Sequence, residues 1–404
     1  MSKWEEKRLE DIIDVNPPVK LKKGEAYPFI DIDKVSPTRR SVTNEEVKVY
    51  DGQSSSKFCN GDTVFSRITP CLENRKIAKV SIDGDAAFGS TEFYVFRAKK
   101  KKADTRFTYY LTSSDAVVLP AINSMTGASG RQRADKRFIQ RLKLNLPDLP
   151  TQERIADILS AYDDLIEANN RRIELLEQTA QELYKEWFVR FRFPGYDNVK
   201  FENGLPEEWE LKKIGDIAHV KSGYAFKSEW WIDEGVPVVK IKDIQGNTID
   251  LGDLSQVSED HAEIAKQFYI VEGDLLIAMT GATIGKMALV PYSEKQMVVN
   301  QRVGKFFLGE SPAEKVAFLY MTLQQNWVQE LIVMIAGSNA AQPNISPFDI
   351  EKIKVVYNED MVDEYNRRSA PFIEEILQLR KQNQNLATQR DMLLPRLMSG
   401  KLEV

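Results

Sequence analysis

The chain has 404 residues, 42% of them hydrophobic, and a formal net charge of −5. That is enough for two ordinary domains, and the absence of any apolar run of 18 residues excludes a transmembrane helix. Only Cys59 and Cys71 occur, too few for a disulfide framework, and the charged start MSKWEEKRLEDI has no apolar signal core, so a reducing cytoplasm is the expected location.

Charge is unevenly spread. Residues 1–149 hold 27 Lys+Arg against 20 Asp+Glu, 150–197 hold 6 against 10, 198–359 hold 15 against 23, and 360–404 hold 7 against 7. The first lobe suits a polyanion directly, whereas the second needs a local basic or polar face, or positive charge from partner subunits.

In chain order, the first lobe opens on Trp4-Glu5 … Leu9 … Asp11-Ile12. A Gly61-Asp62 turn leads into a strand over Asp62–Arg67, and a second strand covers Tyr94–Arg97. A helix is expected over Phe107–Leu119, stopped by Pro120. A polar, glycine-bearing loop runs from Thr126 to Arg133, and Ile139–Leu144 alternates as a strand.

From Pro150 to Phe188 the pattern changes to one long helix. Ile155, Leu159, Tyr162, Ile166, Asn169, Ile173, Leu176, Ala180, Leu183 and Trp187 alternate steps of four and three, with Thr151 as the expected N-cap. This seam is about 48 Å long at 1.5 Å per residue and needs a partner helix. The segment Phe193–Glu208 has no apolar periodicity and reads as a linker.

The second lobe repeats the first. Trp209-Glu210 … Ile214 … Asp216-Ile217 returns 205 residues on, Gly273-Asp274 precedes a strand over Asp274–Met279, and a helix is expected over Glu314–Ala336. Ala336 to Asn344 forms the matching polar loop, and Ile350–Val355 the matching strand. The partner helix lies at the C-terminus, where Val362, Tyr365, Ser369, Phe372, Ile376, Leu379, Asn383, Leu386, Arg390, Leu393 and Leu397 carry the same spacing. Pro371 should kink or begin that helix, and Pro395 and Gly400 should end it. Sliding the chain by 210 residues matches Ile166 with Ile376 and Leu183 with Leu393, but places the seam amides Asn169 and Asn383 at different levels. A seam Asn suits a register device.

Several fragments resemble enzyme motifs and fail on context. Asn16-Pro17-Pro18-Val19 lacks the aromatic residue that would stack on a flipped base. Gly281-Ala282-Thr283-Ile284-Gly285-Lys286-Met287 is one residue short of a phosphate loop and has Met287 where a hydroxyl is needed. His219, His261 and the two cysteines have no metal-ligand spacing, and Lys99-Lys100-Lys101-Lys102 fits a solvated loop. No nucleophile–base constellation is present, so catalytic and metal residues are expected to be none. The pattern favours binding over catalysis.

LPDLPTQERIADILSAYDDLIEANNRRIELLEQTAQELY (Leu146 to Tyr184) resembles the central conserved region of type I restriction-modification specificity subunits. FSRITPCLENRKIAKV (from Phe65), GSTEFYVFR (from Gly89), GSNAAQPNIS (from Gly337) and LLPRLMSGKL (from Leu393) are similar to that family as well.

The resemblance implies a mixed α/β chain: two tandem target-recognition domains, 1–149 and 209–359, separated and followed by long helices, 150–192 and 360–404, that form an antiparallel coiled-coil-like spacer, with a linker at 193–208. It implies double-stranded DNA as a partner, read as two different half-sites, and docking of two methyltransferase subunits. A restriction subunit is a further possible partner. S-adenosylmethionine would be held by the methyltransferase, with no cofactor in this chain. A stand-alone DNA-modifying enzyme and a coiled-coil scaffold without a DNA role are the alternatives.

The polar loops are the candidate DNA readers: Arg131, Gln132, Arg133 and Lys136 in the first lobe, Ser338, Asn339, Gln342 and Asn344 in the second. Lys76 and Lys286, at equivalent positions, are candidate phosphate contacts. Trp187, Phe188 and Leu397 are expected on outer helix faces as methyltransferase contacts, the alternative being that they close onto the lobes.

Overall fold

The computed structural model describes residues 4–37, 39–43, 46–128, 130–337 and 343–404. The chain divides into two compact units, residues 1–167 with 385–404, and residues 168–384.

In the first unit, Trp4–Arg8 pairs antiparallel with Lys143–Pro147. Beyond this closure lies a five-stranded sheet in the order Ile13–Val15, Phe93–Ala98, Thr63–Ser66, Ile77–Val80, Ser41–Val42. A four-stranded sheet follows the order Glu46–Val49, Ala26–Ile30, Ala86–Gly89, Ser56–Cys59. Apolar residues of both sheets, Ile30, Phe58, Val64, Val80, Phe93 and Val95 among them, form one core. A second core packs Phe65, Phe96, Phe107, Leu111 and Val117 against Ile155, Leu159 and Leu397 of the long helices.

The second unit repeats the plan. Glu210–Lys213 pairs antiparallel with Lys354–Tyr357. His219–Ser222, Val303–Phe307, Leu275–Ala278 and Met287–Leu289 reproduce the order of the first four strands of the five-stranded sheet in unit 1. The Gly-Asp turns serve the same purpose in both: Gly61 and Gly273 both adopt φ of 86°. The following aspartates are buried. Asp62 accepts from Cys59 N at 2.7 Å and pairs with Arg97 at 2.6 Å; Asp274 accepts from Val271 N at 2.9 Å and pairs with Lys305 at 2.7 Å. Burying such a carboxylate is tolerable only because its oxygens are occupied.

The central helix spans Leu149–Tyr184 and continues as a π-helical turn over Lys185–Val189. Asp148, not Thr151, takes the capping role, its carboxylate accepting from Thr151 N at 3.2 Å. The C-terminal helix spans Glu359–Met398 without interruption. Pro371 therefore neither begins nor breaks it, and Pro395 does not end it; Gly400, with φ of 72°, follows its last turn. Pro120 likewise lies inside a helix, because the expected single helix is two, Thr105–Ser113 and Asp115–Asn123. In the second unit the counterparts are Pro312–Leu323 and Asn326–Ile335. The strands expected over Ile139–Leu144 and Ile350–Val355 begin later, after short helices Lys136–Gln140 and Pro347–Glu351.

Within each unit the two long helices run antiparallel. In unit 2, Ile173 packs with Ile376 and Leu379, and Tyr365 donates to the Ala180 carbonyl at 2.8 Å. Antiparallel pairing also brings the seam amides to one level, which the repeat alignment had not suggested. Asn169 Nδ2 donates to Asn383 Oδ1 at 2.9 Å, and Asn383 Nδ2 donates to Asn170 Oδ1 at 2.9 Å. Each unit adds a polar triad: Tyr110 and Arg390 meet on Asp163, both at 2.5 Å, and Tyr320 and Arg380 meet on Glu177, both at 3.0 Å. The Phe193–Glu208 segment is ordered, with a hairpin of Phe201–Glu202 and Leu205–Pro206, and Phe193 is buried against Trp209.

Candidate nucleic-acid interface

In each unit the loop leaving a central sheet strand is stitched by backbone hydrogen bonds to the polar loop late in the lobe. In the first, Thr69 N donates to Gln132 O at 3.0 Å, Ala134 N donates to Arg67 O at 2.8 Å, and Arg133 forms bridges with Ile68 and Thr126. Gln132 N also donates to Thr69 Oγ1 at 3.1 Å. In the second, Gly281 N donates to Pro343 O at 2.9 Å, Ile345 N donates to Met279 O at 3.0 Å, and Thr280 bridges to Asn344. The stitching satisfies backbone groups that would otherwise be left unpaired where the strand ends.

The side chains on these loops divide into engaged and open groups. Arg131 is exposed and has no side-chain partner among the described residues. Gln132 is half-buried, its backbone held by Thr69. Arg133 is exposed but clamped by Glu92, with Nε donating to Oε2 at 2.9 Å and Nη2 to Oε1. The same carboxylate takes Arg67 Nε at 3.2 Å. The Arg133 guanidinium holds the Glu92 carboxyl below its usual range, against the opposing effect of partial burial. Lys136 is half-buried at the first turn of a helix capped by Asp135, which accepts from Phe138 N at 2.8 Å.

Lys76 and Lys286 are equivalent in the repeat but differently placed. Lys76 is half-buried and its Nζ donates to the Ile32 carbonyl at 2.9 Å, a contact internal to the lobe. Lys286 is exposed and has no ion pair among the described residues. Asn344 is exposed, with its backbone N donating to Ala336 O at 3.2 Å. Ser338, Asn339 and Gln342 lie outside the described residues.

The expectation that Trp187, Phe188 and Leu397 face outward is corrected. Trp187 and Phe188 are each 3% exposed and Leu397 is fully buried. The extra residue in the π-helical turn brings Trp187 and Phe188 together onto the lobe side, where Phe188 stacks edge-on with Phe318 at 4.8 Å and packs on Tyr365 and Trp209. Leu397 closes onto the first unit's core. These are packing residues of the lobe–helix joint, the alternative placement considered for them.

Two groups were not singled out in the sequence. Glu92 lies in the family-like stretch GSTEFYVFR, but only the pairing geometry discloses its hold on Arg133 and Arg67. The run Tyr224 to Trp231, with Lys227 in it, did carry a signal, since aromatic residues interleaved with cations suit nucleic acid. There Trp230 stacks on His261 at 4.0 Å and near-parallel on Tyr224 at 6.1 Å, with Lys227 over its ring at 5.3 Å.

No helix of the described residues is long and apolar enough to cross a membrane. A family model, Type I restriction modification DNA specificity domain, matches residues 1–178 and 206–357. The type I restriction enzyme MjaIX specificity subunit of Methanocaldococcus jannaschii is 26% identical, with 99% of this chain and 94% of that protein covered. The HindI specificity subunit of Haemophilus influenzae is 24% identical over 88% and 90%. The crystal structure of the type I S subunit from M. genitalium aligns with a TM-score of 0.52 at 17% identity, covering 98% of this chain and 96% of that one, which shows a shared fold. The repeated α/β lobes, the two long helices and the family match over both lobes establish that the chain belongs to the family of type I restriction modification DNA specificity domains, the specificity subunits of type I restriction-modification systems.

Proposed function

We propose that the chain reads a bipartite, asymmetric site on double-stranded DNA, one half-site per lobe, and docks two methyltransferase subunits that carry S-adenosylmethionine and the chemistry. The observation that carries this reading is the duplicated stitching of a strand-exit loop to a polar loop, once in each unit, with different side chains on the two copies. Two similar platforms with different surfaces suit two different short sequences, and Arg131 and Asn344 are open groups suited to base edges. The chain itself acts without catalysis, in the cytoplasm, and a restriction subunit joins the complex where cleavage occurs.

The test is selection from a pool of randomised duplexes by the purified chain, with and without its methyltransferase subunit. Two short blocks at fixed separation are expected. Retention without sequence preference, even with the partner present, would favour the scaffold reading instead.

A further inference from the structure

The 210-residue repeat carries the lining of one cavity onto the lining of another. In unit 1, Pro37, Arg75, Ile77 and Ser114 border a cavity of about 470 Å³; in unit 2, Asn247, Gly285, Met287 and Gln324 border one of about 370 Å³. The two differ in charge. In the first, Arg75 pairs with Asp115 and Arg390 with Asp163 within the lining, and Arg40 pairs with Asp164 and Glu167 outside it. In the second, Lys286 is the only ionisable side chain in the lining, and it is exposed and without an ion pair among the described residues.

The rest of that lining supplies neutral donors. Gln324 borders the cavity, and its amide Nε2 is buried with no hydrogen-bond partner among the described residues. Gln329 Nε2 donates to the Leu323 and Gly285 carbonyls, which fixes the wall beneath Lys286. Gly285 has φ of 80°, a conformation that favours glycine, and a Cβ there would lie 2.7 Å from Gln329 Oε1 and oblige that side chain to shift. Asn247, the remaining amide, reaches Glu177 at 3.4 Å, and that carboxylate is already occupied by Arg380 and Tyr320.

We propose that this cavity seats one phosphate group, contributed by the DNA backbone, with Lys286 supplying the charge and the Gln324 amide, on turning from its enclosed position toward the cavity, a hydrogen bond. The proposal rests on the DNA-reading function above. The loop that bears Lys286 is the one stitched to residues 343–345 through Met279 and Gly281, so phosphate seat and candidate reader belong to one loop pair. It also answers how a lobe with 14 cationic against 20 anionic side chains over residues 209–359 meets DNA: through a local cation with no carboxylate in the lining.

The experiment measures affinity of the full chain for a long mixed-sequence duplex over a salt series. Lys286→Ala should lower affinity roughly tenfold at low salt and reduce the slope of log affinity against log salt by about one, with sequence preference retained. Lys286→Arg should keep the slope, and Gln324→Met should weaken binding without changing it. An unchanged slope in Lys286→Ala overturns the proposal. Calorimetric titration of inorganic phosphate into the DNA-free chain separates the sources: Lys286-dependent phosphate binding beside an unchanged DNA slope would make the ligand a free phosphate and refute the backbone contact. If the unsubstituted chain retains no duplex at all, the DNA-reading function itself fails, and this seat with it. Because Lys286 is exposed, melting temperatures of the Lys286 variants should match that of the unsubstituted chain, which separates binding effects from folding.

Discussion

Asp274 is 3% exposed, and its partner Lys305 has a side chain 11% exposed; in the equivalent pair, Asp62 meets Arg97, whose side chain is 31% exposed. Removing a carboxylate strands the cation, and the cost rises with the cation's burial. Asp274→Ala should therefore cost about 3–5 kcal/mol. Asp62→Ala should cost less, about 1–3 kcal/mol, because Arg97 can turn to water. Denaturant midpoints of both variants decide this, and equal losses would show that the turn hydrogen bonds, not the ion pairs, dominate. Glu92 poses a different question. It holds Arg133 and Arg67 in the first lobe, so Glu92→Gln should release a guanidinium and raise affinity for non-specific duplex severalfold at low salt. Unaltered affinity would mean that Arg133 stays out of reach of phosphate even when free.

At the level of elements, the amide ladder of Asn169, Asn383 and Asn170 is a polar interruption in the unit 2 helix seam. Asn169→Leu alone leaves Asn383 Oδ1 without its donor and should cost about 1–3 kcal/mol, whereas Asn169→Leu with Asn383→Leu should be close to neutral or stabilising. If the double variant matched the unsubstituted chain in both stability and helix orientation, the amides would have no role in register. The seam itself was legible because a three–four spacing sustained over ten positions has one physical solution. The level of the two asparagines was not, since repeat alignment orders positions along the chain while antiparallel pairing reverses one helix. Prolines misled for a related reason. Pro371 removes one helical hydrogen bond, at about 3 kcal/mol. Yet Tyr365 and Ser369 before it and Ile373 and Ile376 after it are buried, and that packing outweighs the loss. In the candidate site, the sequence marks Arg131, Arg133, Lys76 and Lys286 alike, and which of these cations stay open depends on partners distant in the chain. Lys76 was not separable from Lys286 by sequence, because the Ile32 carbonyl that engages it lies 44 residues away.

Across the whole molecule, duplication gives two units that are separable in packing, and the proposed bipartite reading requires them to be separable in function as well. Arg131 stands on the loop pair of the first unit and Asn344 on that of the second, and each loop pair is fixed to its own sheet by its own hydrogen bonds. Substituting one should leave the other platform undisturbed, since sites without shared partners act additively. In the randomised-duplex selection, Arg131→Ala should relax preference in one recurring block only, and Asn344→Ala in the other only, each by about 1–3 kcal/mol of discrimination at a single base position. The double variant should show both losses and no more. Relaxation of the same block by both substitutions would mean that the two loops converge on one half-site, and the repeat would then be a device for doubling contacts instead of doubling the sequence read.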